Sequence, residues 1–254
     1  MDYYIITGTS RGIGEALATE LLQPGNVIFA SSRTLNEDLV EKASALQVQL
    51  FYFETDLSDP HETETFIQEV FDKIILTPGD RIALINNAGM IEPIGPLHTN
   101  NFIELEKHLH LNLLAPMILS SVFISRTMSY SIPKVILNIS SGASYIPYYG
   151  WSAYCSSKAG MDAFTKVVGL EQFGTNNSVR IFALAPGIID THMQEQIRET
   201  NEVLFPDRGT FEKLHKEEKL SKPADVARII SMSLFSKKIG NGEILDIEKL
   251  RKMV

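Results

Sequence analysis

Short apolar runs alternate with amphipathic stretches along most of the chain. Strand-like runs occur at YYIITG, VIFASSR, QLFYFETD, IALINNAG, KVILNISS, VRIFALAPG and, more weakly, GEILDI. They are apolar nearly throughout, as strands covered on both faces of a parallel sheet must be. Helix-like periodicity lies between most of them, over 12–22, 60–76, 100–129, 152–173 and 223–235. Strands alternating with helices read as βαβ units. The pattern predicts an α/β fold of the doubly wound kind, a parallel seven-stranded sheet with helices on both faces, spanning 1–254 as one domain. Residues 192–222 break the pattern. They are polar and charged around a Pro206-Asp207-Arg208-Gly209 turn signal, which predicts a lid over a site rather than a further domain.

Composition narrows the partners. The 254 residues carry a formal net charge of −8, which disfavours nucleic acid and anionic membranes. No apolar stretch is expected to reach membrane-spanning length. The N-terminus enters a strand pattern at once, without a basic leader, so the cytoplasm is the expected compartment. The single cysteine, Cys155, excludes an internal disulfide and a cysteine metal cluster, and the six histidines lack metal-ligand spacing. No metal is expected.

The first strand runs straight into TGTSRGIG, residues 7–14. Gly8, Gly12 and Gly14 fall where strand becomes helix, and there the backbone must turn tightly and approach a ligand closely. The following helix aims its N–H groups and positive dipole end at the turn, which suits a pyrophosphate. An acidic residue at the end of the second strand would favour NAD. This chain has Ser31, Ser32 and Arg33 there, with Arg11 inside the glycine turn. Guanidinium groups bind phosphate bidentately, so the preference reads as NADP(H). Asp56 and Leu57, after the third strand, are placed to flank the adenine. Asn-Asn-Ala-Gly at 86–89 offers side-chain amides and a tight turn beside the cofactor.

WSAYCSSKAG, residues 151–160, sets Tyr154 and Lys158 one helical turn apart on one face. A cation beside a phenol favours phenolate, so the pair predicts a tyrosine whose pKa is lowered toward neutrality for proton transfer. The alternative is a plain helix surface pair.

Taken together these motifs resemble the short-chain dehydrogenase/reductase family over roughly residues 3–246. The likeness rests on TGxxxGIG at 7–14, NNAG at 86–89, Asn112 in HLNLLAP, Ser141 in NISSG, YxxxK at 154–158 and PGIIDT at 186–191, in the family's order. Within the family, GWSAYCSSKAG, LINNAGMIEP and APGIIDTHMQEQIRE are similar to the (S)-benzoin-forming benzil reductases and, through them, to sepiapterin reductases. The resemblance implies a single-domain Rossmann fold and NADPH-dependent hydride transfer to a ketone, expected to be a vicinal diketone. A pterin side-chain reductase, another NADP-dependent alcohol dehydrogenase and a non-catalytic NADP sensor are the alternatives.

It also implies roles. Tyr154 is the general acid, Lys158 tunes it and holds the nicotinamide ribose, Ser141 orients the substrate oxygen, and Asn112 holds a water that reconnects Lys158 to solvent. Asn112 read bottom-up could equally be a satisfied core amide. The cofactor would touch Gly8, Ser10, Arg11, Gly12, Ile13, Gly14, Ser32, Arg33, Asp56, Leu57, Asn86, Ala88, Gly89, Tyr154 and Lys158. Pro186, Gly187, Ile189 and Thr191 would fix its carboxamide. Tyr148, Trp151 and Met193, with Ser141, would bind the carbonyl substrate. Asp246 matches by position an aspartate that anchors the pterin in sepiapterin reductases. Apolar faces on 100–129 and 152–173 point to a homodimer, with a tetramer as the alternative.

Overall fold

The computed structural model describes residues 1–253; Val254, the last residue of the expected domain, lies outside them. The first half runs β1 (Asp2–Thr7), α1 (Gly12–Glu20), β2 (Asn26–Ser32), α2 (Glu37–Ala45), β3 (Gln49–Glu54), α3 (Pro60–Lys73) and β4 (Arg81–Asn86). The chain continues through α4 (Phe102–Leu109), a π-turn (His110–Leu114), α5 (Ala115–Thr127), β5 (Lys134–Ile139), α6 (Ser152–Glu171) and β6 (Arg180–Ala185). It ends with α7 (His192–Glu199), α8 (Arg208–Lys216), α9 (Pro223–Ser233), β7 (Glu243–Asp246) and α10 (Ile247–Arg251).

All seven strands pair in parallel in the order β3-β2-β1-β4-β5-β6-β7. The order reverses between β1 and β4, and a crevice opens there at the carboxyl ends of the strands, where open α/β sheets bind ligands. Strand alternation sorts the core. Tyr3, Ile5, Phe29, Leu84 and Ile136 face one side, against Phe66 and Val70 of α3 and Phe123 of α5. Tyr4, Ile6, Ile28, Ile85 and Leu137 face the other, against Leu17 of α1 and Val226 and Ile230 of α9. Burying both faces explains strands that are apolar at most positions between their ends.

A third apolar cluster sits apart from these two. Ile91, Ala143, Trp151, Tyr154, Ile197, Phe205 and Phe211 pack together over the active-site end. It is made by Ile91, by residues 142–154, by α7 and α8 and by Phe205 between them, so the segment expected as a lid is largely helical and has its own core. Its two ends are pinned to each other: Asp190 N–H donates to Ser221 O at 3.0 Å and Ser221 N–H to Ile188 O at 3.1 Å. Helix α2, short and capped by Asn36 accepting from Leu39 N–H at 2.9 Å, was also not expected from periodicity.

Two expectations change. The stretch 100–129 is interrupted by the π-turn at His110–Leu114. Pro116 lies just beyond it and lacks the N–H that would bond the Asn112 carbonyl, which favours a looser turn. Phe102–Thr127 as a whole is long and apolar enough to cross a membrane, contrary to the sequence reading. Its apolar character instead serves the core, through Ala115, Leu119 and Phe123.

Candidate active site

The glycine turn is held from several sides. Gly8 N–H and Thr9 N–H donate to Ser31 O at 2.7 and 3.1 Å. Asn36 Nδ2 donates to Thr9 O and Ser10 O, both at 3.2 Å. A Cβ on Gly8, whose φ is +74°, would stand 2.8 Å from Ala88 Cα. A Cβ on Gly14 would run into Gly8 O and Asn87 Nδ2. These glycines therefore let the turn and the 86–89 loop close on each other. Helix α1 begins at Gly12 with no side-chain cap, so its first N–H groups are left for a ligand. The hydroxyl of Ser31 is buried without a partner at the same crevice. An uncapped helix end, a glycine cradle and a buried free hydroxyl fit the pyrophosphate and adenosine half of a dinucleotide. Thr191 Cγ2 lies 3.3 Å from the Cβ position of Gly12. The segment Pro186, Gly187, Ile189 and Thr191 is thereby brought over the glycine turn.

The neighbouring assignments need revision. Asn86 is buried and turned into the sheet, its Nδ2 donating to Asn138 Oδ1 at 2.8 Å and to Ser120 Oγ at 3.3 Å. It shares a strand face with Leu84, so it points toward α5 rather than the crevice. The amide at the crevice is Asn87, which donates to Thr7 O at 2.9 Å and to Gly8 O at 3.2 Å. Thr7 Oγ1 accepts from Asn87 N–H and Ala88 N–H, both at 3.0 Å. Thr7 and Asn87 were missed, although the strand parity of Asn86 was readable. Ser32 is also committed: its hydroxyl bonds Thr34 O at 2.7 Å and Tyr52 OH at 2.5 Å. Arg11 and Arg33, the two guanidinium groups expected at a 2′-phosphate, are both exposed. Leu57 turns into the core beside α3, with Ile67 and Val70. Burial pushes the Asp56 carboxyl up. Two Ser58 hydrogen bonds and the charge of Arg33 outweigh burial and hold it below the usual range.

Ser141, Tyr154 and Lys158 meet at the carboxyl end of β5. Tyr154 is buried, at 7 % exposure, between Trp151 and His108, with ring centroids at 5.6 and 6.1 Å. Burial raises its pKa above the usual 10, and a hydrogen bond with Ser141 lowers it only in part. The expected lowering by Lys158 is not realised in the free protein. The Lys158 Nζ lies 5.7 Å from the ring centroid and donates instead to Ile139 O at 2.8 Å. Burial drives Lys158 itself down to about 8, against a pull upward from Asp162. The Asp162 carboxylate accepts from Ser140 Oγ at 2.5 Å. The site thus holds an uncharged phenol next to a cation that gives up its proton easily. Two such groups suit proton transfer once an acceptor oxygen is at hand.

Asn112 adjoins this group. A Cβ on Gly89 would lie 3.3 Å from Asn112 Oδ1 and 3.8 Å from Lys158 Nζ. Its amide is engaged: Oδ1 accepts from Met90 N–H at 2.9 Å and Nδ2 donates to Met90 O at 2.8 Å. The group left to hold a water is its main-chain carbonyl, which cannot receive the usual helical bond from Pro116.

The expected substrate residues separate. Trp151, 4 % exposed, stacks on Phe205 at 4.6 Å and 6°. It is core of the lid rather than a wall of the pocket, because the apolar face it needs is supplied by α8 and its approach. Tyr148 and Met193 are half-buried at the edge of that cluster. Tyr145, 72 % exposed, was missed; its hydroxyl lies 3.8 Å from the Cβ position of Gly142, next to Ser141. Asp246 is exposed, and its Oδ1 caps α10 by accepting from Lys249 N–H at 2.7 Å. Cys155 is half-buried, with Sγ 3.8 Å from Ile146 O.

A doubly wound sheet with a glycine crevice and a Ser-Tyr-Lys cluster defines a dinucleotide-dependent oxidoreductase. The short chain dehydrogenase family model matches residues 3–202, and the chain belongs to that family, whose members act on CH–OH and C=O groups with a nicotinamide cofactor. It is 40 % identical over 249 residues to the benzil reductase ((S)-benzoin forming) of Bacillus cereus, covering 98 % of this chain and 100 % of that one. It is 34 % identical to the sepiapterin reductase of Rattus norvegicus, over 85 % of this chain and 84 % of that protein. A short chain dehydrogenase/reductase from Saccharomyces cerevisiae superposes with a TM-score of 0.85 at 22 % identity, over 100 % of both chains.

Proposed function

We propose that this protein is an NADPH-dependent carbonyl reductase acting on a vicinal diketone, of the benzil to (S)-benzoin type. The observation that carries the reading is the convergence of Ser141, Tyr154 and Lys158 beside the glycine crevice. NADPH, when bound, supplies the hydride. The turn at Gly8, Ser10, Gly12, Ile13 and Gly14 holds its pyrophosphate, Arg11 and Arg33 its 2′-phosphate, Ala88 and Gly89 its ribose, and residues 186–191 its carboxamide. Ser141 donates a hydrogen bond to the carbonyl oxygen, where negative charge develops. Tyr154, uncharged at ordinary pH, gives that oxygen its proton. Lys158 stabilises the phenolate left behind and passes a proton on. Water held at the Asn112 carbonyl reconnects Lys158 to solvent. Tyr148, Met193 and Tyr145 form the rim over the substrate, and Phe205 and Phe211 hold the lid that excludes water. The relatives' activities support this class of substrate, with higher identity to the benzil reductase than to the sepiapterin reductase. The protein works in the cytoplasm as a homodimer, for which the exposed Phe102, Leu109 and Met117 on α4–α5, Leu170 at the end of α6 and Phe173 just beyond it provide the apolar faces.

NADPH absorbance followed with benzil, an aliphatic diketone and sepiapterin in parallel tests the reading. Rapid benzil turnover to one benzoin enantiomer, with NADPH preferred over NADH, is expected. Preference for sepiapterin, or turnover of none, would overturn it.

A further inference from the structure

His108, in the last turn of α4, is fully buried and plays no part in the mechanism above. Its surroundings nevertheless prescribe its protonation state. Nδ1 lies 2.6 Å from the Glu92 carbonyl oxygen. A carbonyl only accepts, so Nδ1 carries the proton. Nε2 lies 3.0 Å from Asn112 Nδ2 and 3.1 Å from Ser157 Oγ. The Asn112 amide is oriented independently by Met90, whose N–H and C=O face its Oδ1 and Nδ2. One N–H of Nδ2 serves Met90 O, and the other is left for Nε2. The Asn112 N–H therefore calls for a lone pair on Nε2, and an imidazolium would set N–H against N–H there; the Ser157 hydroxyl, which also reaches Tyr154 O at 2.9 Å, accommodates either form. Burial, reinforced by the charge of Lys158, also holds His108 below the usual histidine range, outweighing the upward pull of the Glu92 and Ala153 carbonyls.

The contacts reach in two directions. The carboxylate of Glu92 accepts from Gln196 Nε2 of α7 at 2.6 Å, so the residue bonded to His108 also touches the lid. On the other side Asn112 clamps Met90, and Asn112 and Lys158 both border Gly89. We propose that His108 is a positioning residue: a neutral, Nδ1-protonated imidazole that locks the Asn112 amide and, through Met90 and Glu92, fixes the 89–92 backbone between Lys158 and the lid. This rests on the reductase reading, in which Asn112 and Lys158 serve the proton route.

Two measurements test it. The first is the ring 15N–1H correlation spectrum of the cofactor-free protein labelled at histidine, between pH 5.5 and 8. One ring, absent from the His108→Gln spectrum, should be the Nδ1–H tautomer and should not titrate. An Nε2–H tautomer, or a midpoint near the ordinary value of about 6.5, would overturn the proposal. The second is the kinetics of His108→Phe, which keeps the ring's bulk without its hydrogen bonds, beside His108→Gln, which restores an acceptor. With benzil and NADPH, kcat should fall at least tenfold in His108→Phe at a KM changed less than threefold, and His108→Gln should recover most of it. Equal kcat in wild type and His108→Phe would overturn the proposal; if His108→Phe does not fold, the spectrum decides. Tyr154→Phe run alongside separates the two readings. Retained turnover there would sink the reductase assignment and leave the tautomer result standing.

Discussion

Replacing Lys158 with methionine should expose the free-energy cost of keeping an ammonium inside the site. Lys158 is 5 % exposed and lacks a direct ion pair, and its pKa falls from 10.5 to about 8. The drop corresponds to roughly 3 kcal/mol at ~1.4 kcal/mol per pH unit. The sign follows from proton binding. Below pH 8 the lysine is charged both folded and unfolded, and the full cost is present. Between about 8 and 10.5 the unfolded chain holds a proton that the folded chain has released, so stability rises with pH. Above 10.5 nothing further changes. Unfolding free energies from urea titration of the cofactor-free protein, wild type and Lys158→Met, isolate this group. The difference, wild type minus variant, should rise by roughly 2 kcal/mol between about pH 7 and pH 9.5. Tyr154 does not interfere, because its pKa is raised above 10 and lies beyond that range. A difference that stays flat across the range would refute the argument, since it would mean that Lys158 titrates like a solvent-exposed lysine.

Other outcomes follow from the same geometry. Gly14→Ala puts a Cβ into Gly8 O and Asn87 Nδ2; NADPH affinity by fluorescence titration should fall at least about tenfold, because backbone cannot yield as a flexible side chain can. Arg33→Glu should lower the ratio of kcat/KM for NADPH over NADH by at least about tenfold, since it replaces a phosphate-binding guanidinium with a repelling carboxylate. Phe205→Ala removes a fully buried ring stacked on Trp151; it should cost ~3–5 kcal/mol in denaturant unfolding and raise KM for the diketone while leaving NADPH affinity unchanged.

The strands were legible because each is apolar on both faces, and a parallel sheet follows from that together with the helices between them. The glycine turn and the Tyr154–Lys158 spacing were legible because local backbone geometry alone makes them reactive. What was hidden depended on contacts distant in sequence. Helices α7 and α8 read as a polar insertion because they bury one narrow stripe, Ile197, Phe205 and Phe211, against Trp151. That same packing turned Trp151 from an expected pocket wall into core. Strand parity already turns Asn86 away from the crevice, but its partner Asn138 and the approach of Tyr52 to Ser32 come only from the packed sheet. The protonation of Tyr154 reversed for a similar reason. Spacing gives the neighbour but not the depth of burial, and here burial outweighs the one lowering influence on the phenol, its hydrogen bond with Ser141.

The most direct measurement is NADPH consumption with benzil by wild type and Tyr154→Phe, with NADPH affinity determined for both. The account predicts that kcat falls at least ~10²-fold, the lower end of what a positioned general acid contributes, while the affinity stays within threefold. Turnover retained in Tyr154→Phe would contradict it.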